Sequence, residues 1–320
     1  MRSRTLDEVR EAAAFIAKHA GSVAFDETRL RTMAEDLVPL LRKGVTLDAT
    51  YFYQGDAKAT LAYVVTFNAV NFGSGWWPHL VKIPGRSGSI TMMSRLRDRF
   101  STAGPISAHE LATITVAQCA ALFGQPLRPP IDDLMAHFTD ALHELGGLLL
   151  EHYDGSFEAL VEEASGSAER LADLLLAMPM YRDVASYRGR RVPILKRAQL
   201  TAADLALALG DSPLGRFDDL DRLTVFADNV VPHVLRVEGV LVYEDELLNR
   251  ISSGELLQPG EEAEVEIRAL AIHAVERLVA TLQSTGTSTT AAEIDYVLWQ
   301  SGQGPRYKAL PRHRARSIYY

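Results

Sequence analysis

The chain has only one cysteine, Cys119, among its 320 residues. A single cysteine excludes an internal disulfide and a thiolate-rich zinc site, and it fits a reducing compartment. Its position in the apolar run ITVAQCAALF favours a small residue of the core. The histidines do not cluster either, since His137 and His143 lie six residues apart and His143 and His152 nine apart. We therefore predict no metal site.

Positive charge and long apolar runs are also scarce. The formal net charge is −8, whereas broad binding to a nucleic-acid backbone needs a strongly basic face. The beginning, MRSRTLDEVREAAAF, has no apolar signal segment, and no later run is long and apolar enough to span a bilayer. These absences predict a cytoplasmic protein that does not bind membranes.

Standard catalytic motifs are absent as well. The sequence has no P-loop, no His-Glu-x-x-His, no Gly-x-Ser-x-Gly and no Gly-x-Gly-x-x-Gly after a strand. Candidate functional residues must therefore be sought among polar side chains that stand in aromatic or apolar surroundings.

Helical patterns account for most of the chain. Four hydroxyl residues are each followed three positions later by an acid that can cap the same turn: Thr5 with Glu8, Ser107 with Glu110, Thr201 with Asp204, and Thr290 with Glu293. Apolar residues at spacings of three and four predict further helices at about 28–43, 131–150, 156–164, 167–177, 218–227, 232–237, 243–251 and 261–283.

Strand patterns are few. The candidates are 59–70 and 237–243, and 59–70 is also compatible with a buried helix. The sequence thus predicts a mainly α fold with few short strands. Because 47% of the residues are hydrophobic and no true linker interrupts them, we expect one globular unit over residues 1–320, with two tightly fused helical lobes as the alternative.

An acid, Asp228, stands between two apolar runs in RLTVFADNVVPHVL. The preceding run fits a helical face that ends near Ala227, and Pro232 suits the first turn of a following helix. Asp228 and Asn229 are therefore expected in an elbow between two helices. An N-cap explains one aspartate there without any chemistry, and spacing alone favours that interpretation.

A second acid joins an apolar stripe in TTAAEIDYVLWQSG. There Asp295, Leu298, Trp299 and Gly302 share one face of the predicted helix. Burial of a carboxylate is costly unless a donor or a cation meets it. A structural salt bridge to an arginine and a contact to a ligand explain Asp295 equally well.

Amides beside aromatic rings, and two basic stretches, supply the other candidates. Asn71 and Phe72, in YVVTFNAVNFGSGWWP, suit hydrogen bonding to and stacking on a heterocycle, although a packed turn is the commoner meaning. The basic stretches suit one phosphate, although a solvated charge run is the usual meaning. They contain Lys196 and Arg197, and Arg312, His313, Arg314 and Arg316.

Several of these motifs together resemble the queuosine salvage family, the queuosine 5′-phosphate N-glycohydrolases. They are VPILKRAQLTAADL, GRFDDLDRLTVFADNVVPHVL, EIDYVLW and HRARSIYY, and they occur in the family's order. AAAFIAKHAGSVAFD and GPISAHELATITVAQCAALF also match, so the similarity covers most of the chain. The chain departs from the family pattern after Asn71-Phe72, where GSGWW replaces an expected aromatic pair.

The resemblance implies a fold related to the helix-hairpin-helix DNA glycosylases. It also implies hydrolysis of queuosine 5′-monophosphate to the free base queuine, which is salvaged for tRNA modification, without a cofactor. Asp228 would be the catalytic carboxylate, because positive charge develops on the ribose as the N-glycosidic bond breaks. Lys196 and Arg316 are the phosphate-binding candidates.

The base implied by the resemblance adds a constraint. A 7-deazaguanine has carbon in place of N7, so protonation of N7 cannot assist its departure, and the sugar-side carboxylate gains importance. Queuine also carries a cationic secondary amine, which an ionised Asp295 would suit, as it would the guanidine-like edge of the base. The rest of the predicted base-binding set is aromatic or amide: Phe226, Trp299, Phe72, Asn229 and Asn71.

Two other functions remain open. A DNA base-excision glycosylase would share fold and chemistry, but the charge of −8 counts against it, and neither duplex DNA nor tRNA is an expected direct partner. A non-catalytic helical nucleotide-binding module is the other alternative, because one fold hosts more than one function.

Overall fold

The computed structural model describes residues 4–210 and 212–320, and most of them are helical. The α-helices are α1 (Thr5–Ala17), α2 (Glu27–Lys43), α3 (Ala57–Ala69), α4 (Gly88–Ala103), α5 (Ala108–Thr113), α6 (Val116–Phe123), α7 (Ile131–His152), α8 (Phe157–Glu163), α9 (Ala168–Leu175), α10 (Lys196–Leu209), α11 (Val231–Val237), α12 (Asp245–Ser252), α13 (Glu262–Ser284), α14 (Ala291–Ser301) and α15 (Pro305–Lys308). The strands are β1 (Val23–Phe25), β2 (Val184–Tyr187), β3 (Arg190–Pro193) and β4 (Leu241–Tyr243). Short 3-10 helices cover Ser74–His79, Pro179–Tyr181, Pro213–Gly215 and Leu220–Arg222.

The predicted mainly α fold is confirmed. A relation to the DNA glycosylases stays a prediction. Within residues 4–210 and 212–320, no helix combines the length and the apolar content that a bilayer crossing requires.

Two of the four predicted caps are confirmed. Ser107 and Glu110 bond each other's backbone N–H groups at the start of α5, and Thr290 and Glu293 do the same at the start of α14. Segment 59–70, which was compatible with strand or helix, lies almost wholly in α3 and is buried on every face. A helix without a polar stripe lacks the period that distinguishes it from a buried strand.

The caps predicted at Thr5 and Thr201 are wrong. Thr5 is already helical, and Arg4 occupies the N-cap position of α1. Thr201 lies inside α10, where its hydroxyl donates to the Arg197 carbonyl at 2.8 Å. Threonine forms this bond to the preceding turn inside helices, so the spacing of a hydroxyl and an acid does not by itself locate a helix start.

The chain divides into two units. Unit 1 comprises the chain up to Val45, Asp183–Lys196 and Leu220–Arg316. Its long helix α13 packs against α1, α2, α11 and α14. Strand β1 pairs antiparallel with β4, and β2 and β3 form a hairpin.

Unit 2 comprises Thr46–Arg182, Arg197–Asp219 and Ser317–Tyr320. Its long helix α7 packs against α3, α5 and α6. Gly146 of α7 allows a close approach to α5, because a Cβ there would lie 2.4 Å from the Ala112 nitrogen. The two units are therefore organised around different long helices, α13 and α7.

Candidate active site

Asp228 lies in the turn that leads into α11 in unit 1, and it is half-buried. Its Oδ1 accepts hydrogen bonds from the backbone N–H groups of Val230, at 2.6 Å, and Val231, at 3.1 Å. A capping aspartate bonds the N–H groups two and three residues after it in the same way, but here α11 begins only at Val231 and Val230 stands in its N-cap position. Oδ2 has no hydrogen-bond partner among the described residues. One oxygen therefore orients the carboxylate, and the other can meet a ligand.

The residues before Asp228 have no regular secondary structure, and the helix predicted over 218–227 is wrong. Only Leu220–Arg222 makes a helical turn, of the 3-10 type. The apolar spacing that predicted the helix arises from burial of residues 223–227. The β-branched Thr224 and Val225 disfavour a helix. Asp228 thus follows a buried irregular segment instead of a helix.

Side chains from two helices bond the backbone of this irregular segment. Asp295 of α14 accepts a hydrogen bond from the Phe226 N–H at 2.9 Å. Arg268 of α13 donates from Nε to the Ala227 carbonyl, also at 2.9 Å. Buried backbone polar groups must find partners, and here these side chains replace the bonds of a helix. The backbone just before Asp228 is therefore held by one side chain of α14 and one of α13.

Arg268 is also the centre of a buried ionic network. Its guanidinium donates to both carboxylate oxygens of Asp183, at 3.0 and 2.6 Å, and approaches Glu264 at 3.5 Å. Arg268 and Glu264 are each 2% exposed and Asp183 is 3% exposed. Asp183 in turn accepts a hydrogen bond from the Lys196 N–H at 3.2 Å. The network thus reaches from the Asp228 turn to the first residue of α10.

Arg312 is a basic side chain whose pKa responds to the charge of Asp228. Burial lowers the pKa of the Arg312 guanidinium, and the carboxylate of Asp228 opposes that shift. In the described part of the chain, the guanidinium has no hydrogen-bond or ion-pair partner. A desolvated cation without a protein partner is suited to bind an anion.

Two buried histidines lie among the cations of unit 1. Burial, and after it the positive charges of Arg268, Arg312 and Arg236, lower the pKa of His313 to about 3. Burial likewise lowers the pKa of His233 to about 4. Both rings are therefore neutral near pH 7, and the guanidinium groups carry the positive charge of this region.

The other predicted residues of unit 1 differ in exposure. The Phe226 ring is 2% exposed and packs edge to face on Tyr296 with 6.2 Å between the ring centroids. Asn229 is also buried, and its Nδ2 reaches the His313 carbonyl at 3.5 Å. Trp299 on α14 is half-buried. Trp299 therefore offers more accessible ring surface for stacking than Phe226.

Helix α14 is fixed close to α11 by a glycine. A Cβ at Gly302 would lie 2.5 Å from Cγ1 of Val230, so a larger residue there would force the two elements apart. Val230 donates its N–H to Asp228. This contact therefore helps to set where Asp295 and Asp228 lie within unit 1.

Asn71 and Phe72 belong to unit 2. Asn71 donates to the side-chain oxygen of Asn68 at 3.3 Å. The Phe72 ring is 1% exposed, with the Arg197 guanidinium 4.7 Å from its centroid and the Phe138 ring edge-on at 5.0 Å. One face of Phe72 is thus already covered by an arginine.

The basic residues differ in their surroundings. Lys196 is 4% exposed, whereas Arg316 is exposed. Arg197 is buried and donates to main-chain carbonyls of unit 2, including that of Ile318 at 3.0 Å. Arg314 donates to the Gly254 carbonyl at 3.0 Å. Arg197 and Arg314 therefore hold the chain itself. Lys196 and Arg316 stay the phosphate-binding residues predicted from the sequence, and Arg312 joins them as a candidate.

The structure brings the predicted Asp228 and Asp295 to one irregular segment of unit 1, together with Phe226 and Asn229. The sequence reasoning missed Asp183 and Arg268, which hold that segment. A detectable sign of Arg268 was its place among alanines, isoleucines and a leucine in EIRALAIHAV, with Glu264 four residues earlier. Such i, i+4 pairs usually lie on exposed helix faces, so spacing alone did not reveal a buried network.

The sequence of this chain is similar to those of proteins from one known family. A family model described as queuosine salvage protein matches residues 51–320. The chain is 34% identical to the queuosine 5′-phosphate N-glycosylase/hydrolase of Sphaerobacter thermophilus over 310 residues, which cover 95% of each chain. It is 32% identical to the protein of the same name from Mus musculus over 334 residues, with 97% of this chain and 98% of the mouse protein covered.

Proposed function

The chain belongs to the queuosine salvage protein family, and we propose that it hydrolyses the N-glycosidic bond of queuosine 5′-phosphate and releases queuine. The membership expected from the sequence motifs is thereby confirmed. The names of relatives that align over nearly the full chain support this reaction and an enzymatic role. The net charge of −8 supports a free nucleotide as the substrate, in preference to duplex DNA or tRNA.

The observation that carries the proposal is the carboxylate of Asp228, with one oxygen fixed and one without a partner in the described residues. Departure of the base leaves positive charge on C1′ and the ring oxygen of the ribose. An oriented carboxylate next to that carbon stabilises the charge or forms a bond to it, and water then completes the hydrolysis. Capping and catalysis are compatible here, because they use different oxygens of Asp228.

The base is assigned to the residues around the same segment. Asp295 suits the cationic amine or the guanidine-like edge of queuine, and Trp299 and Phe226 suit its ring. Asn229 completes this set in unit 1, and the base-binding roles of Asn71 and Phe72 rest on the sequence prediction alone. Since one oxygen of Asp295 already accepts the Phe226 N–H, Asp295 has a positioning role in addition to any contact with the base.

The 5′-phosphate is assigned to the basic residues. Arg312 is supported by its electrostatic interaction with Asp228 and by a guanidinium that no described residue engages. Lys196 and Arg316 remain the other candidates. Binding energy on a group that does not react can position the sugar. We therefore expect queuosine nucleoside to be a much poorer substrate than its 5′-phosphate.

Asp228→Asn tests the catalytic assignment. Asparagine keeps an oxygen for the Val230 and Val231 N–H groups but removes the charge, so kcat should fall by about 10³-fold or more with little change in Tm. Asp26→Asn is a matched control, because Asp26 caps α2 through the same two positions, the N–H groups of Thr28 and Arg29. It should retain kcat. Free queuine measured by chromatography decides, and full activity of Asp228→Asn would leave Asp228 as a cap alone.

The phosphate assignment needs both substrates. Arg312→Ala, Lys196→Ala and Arg316→Ala are each compared on queuosine and its 5′-phosphate. The variant that loses the phosphate-binding group should hydrolyse queuosine 5′-phosphate more slowly and queuosine at an unchanged rate. The ratio of kcat/KM for the two substrates should therefore fall. Equal kcat/KM for the two substrates in the unmodified enzyme would reject a phosphate site.

A further inference from the structure

The Arg268 side chain binds two segments that are distant in sequence and that both carry predicted site residues. At one end, its Nε donates to the Ala227 carbonyl, one residue before Asp228, at 2.9 Å. At the other end, its two terminal nitrogens donate to both oxygens of Asp183. A planar guanidinium has the fixed fork that such a two-ended arrangement requires.

Asp183, which Arg268 binds, also bonds the backbone at and before Lys196. Its Oδ2 accepts the Lys196 N–H at 3.2 Å, and its backbone carbonyl accepts the N–H groups of Ile194, at 3.0 Å, and Leu195, at 3.3 Å. Three consecutive N–H groups therefore point at one aspartate. The start of α10 is held by the residue that Arg268 holds.

The backbone at this point is strained. Leu195 has φ of +57°, a left-handed conformation that costs a branched side chain energy and persists only where the surroundings impose it. Leu195 is fully buried. The strain fixes the direction in which the chain enters Lys196, and the Asp183 bonds on both sides of Leu195 are what impose it.

We propose that Arg268 is a positioning residue that fixes the Asp228 turn relative to Lys196, through its simultaneous bonds to the Ala227 carbonyl and to Asp183. The inference rests on the proposed function, in which Asp228 meets the ribose and Lys196 is a candidate for the phosphate. Arg268 does not touch substrate in this scheme. It acts by keeping two contact points of one small molecule at a set separation, and the rate of a positioned reaction is sensitive to displacements of about 1 Å.

The test is Arg268→Lys. Lysine keeps the charge but offers a single ammonium in place of the fork, so it cannot bond the Ala227 carbonyl and both Asp183 oxygens in the same geometry. We expect kcat on queuosine 5′-phosphate to fall by roughly 10- to 100-fold, with a smaller proportional change in KM, when activity is measured well below the Tm of the variant.

Arg10→Lys is the matched control. Like Arg268, Arg10 bonds both main-chain carbonyls and a carboxylate. It donates to the carbonyls of Arg222 at 2.6 Å and Leu223 at 3.4 Å, and to the Glu276 carboxylate at 2.9 Å. It touches neither Asp228 nor Asp183. Arg10→Lys should lower Tm and leave kcat unchanged. An unchanged kcat in Arg268→Lys, or an equal loss of kcat in both variants, would overturn the proposal.

Two further measurements keep the inference testable if Arg268→Lys does not fold. Asp183→Asn retains an oxygen for the Lys196 N–H while removing the charge that Arg268 meets, and it should also lower kcat more than it raises KM. In the unmodified enzyme, the amides of Lys196 and Phe226 should exchange hydrogen only through global unfolding. Rapid exchange at either amide would contradict the proposal. Loss of activity in Asp228→Asn together with full activity in Arg268→Lys would reject the positioning role and leave the proposed function intact.

Discussion

The two units bury different chemistry. The interior of unit 1 contains many charged side chains, among them Asp183, Lys196, Glu264, Glu266, Arg268 and Asp295. The interior of unit 2 is richer in aromatic clusters: Tyr63 packs on Phe52 and Phe100 with ring centroids 5.0 and 5.5 Å away. Buried charges are costly and aromatic packing is not, so the concentration of charge in unit 1 calls for an explanation.

Irregular backbone supplies that explanation. Glu266 accepts the N–H groups of Gly21, Ser22 and Val23, at 3.0, 2.7 and 3.2 Å, and it is 1% exposed. Asp295 and Arg268 bond the segment before Asp228 in the same way. Several buried charges of unit 1 thus bond backbone groups that lie outside helices or at the start of a strand, and such groups need partners.

A buried arginine in each unit sharpens the comparison. Arg197 of unit 2 donates to main-chain carbonyls and lies between the rings of Phe72 and Tyr181, 4.7 and 4.5 Å from their centroids. Arg268 of unit 1 also donates to a main-chain carbonyl but meets carboxylates. Aromatic rings accommodate an arginine in a packed core, whereas the carboxylates of unit 1 transmit its position to other segments.

The largest effect on stability is expected in unit 2. Phe100 is 1% exposed and packs on Tyr63, so Phe100→Ala should lower the free energy of unfolding by about 3–5 kcal/mol. Because no predicted site residue is among the rings that pack on Phe100, which are Tyr53 and Tyr63, the folded variant should keep its kcat. Denaturant unfolding and queuine release are measured on the same preparation, and a large fall in kcat below the Tm would mean that the aromatic core also shapes the site.

The next effect is expected at Asp295 in unit 1. Asp295→Ala leaves the buried Phe226 N–H without its acceptor, which should cost about 1–3 kcal/mol. Asp295→Asn keeps an oxygen, so it should weaken queuine binding more than it lowers Tm if the charge contacts the base.

Unit 2 offers the control for that pair. Asp219 is a half-buried carboxylate that accepts the Ser167 hydroxyl at 2.6 Å and the Glu169 N–H at 3.4 Å, and Asp219→Asn should leave queuine affinity unchanged. Calorimetry and thermal melts on the two asparagine variants give the answer. If Asp295→Asn binds queuine as tightly as the unmodified enzyme, the role of Asp295 is limited to accepting the Phe226 N–H.

A pH effect is expected from His233 in unit 1. Its Nε2 meets the Tyr307 carbonyl at 2.8 Å and its Nδ1 meets Arg236 at 3.1 Å, which requires the neutral ring. Unfolded histidine protonates near pH 6.5, while burial keeps the folded pKa of His233 at about 4. Its stabilising contribution is therefore complete above about pH 6.5 and is lost as the pH falls toward 4.

His233→Gln isolates this contribution, because glutamine has one donor and one acceptor and does not titrate. The fall in Tm between pH 7 and pH 4.5 should be smaller in the variant than in the unmodified enzyme. His313, with a pKa of about 3, should keep part of the pH dependence. Parallel curves for the two proteins would show that His233 does not contribute.

The smallest effect is expected at the start of α14. Thr290→Ala removes the side-chain acceptor for the Glu293 N–H, and loss of such a cap costs about 1 kcal/mol. The helix that carries Asp295 should remain in place, so kcat should not change. A loss of activity larger than the loss of stability would show that the whole helix controls the Asp228 turn.

Local signals predicted the parts of the fold that are locally determined. The pairs Ser107 with Glu110 and Thr290 with Glu293 begin helices because each pair satisfies its own backbone groups. The same reasoning gave a wrong helix at 223–227, because the backbone of this segment bonds residues that are distant in sequence. Its partners are Arg268 and Asp295, about 40 and 70 residues further along the chain. Asp228 could be selected from the family motif, but the residues that hold it could not be found from spacing.

The path of the chain through the two units bears on how the protein can be made and divided. The chain changes unit five times, after Val45, Arg182, Lys196, Asp219 and Arg316. Helix α1 packs on α13, which a ribosome supplies some 250 residues later. Contacts of such long sequence separation form slowly, so unit 1 is completed only after most of unit 2 has been synthesised. Neither unit is a continuous stretch that could be expressed alone, and a circular permutant or a split protein would have to respect all five crossings.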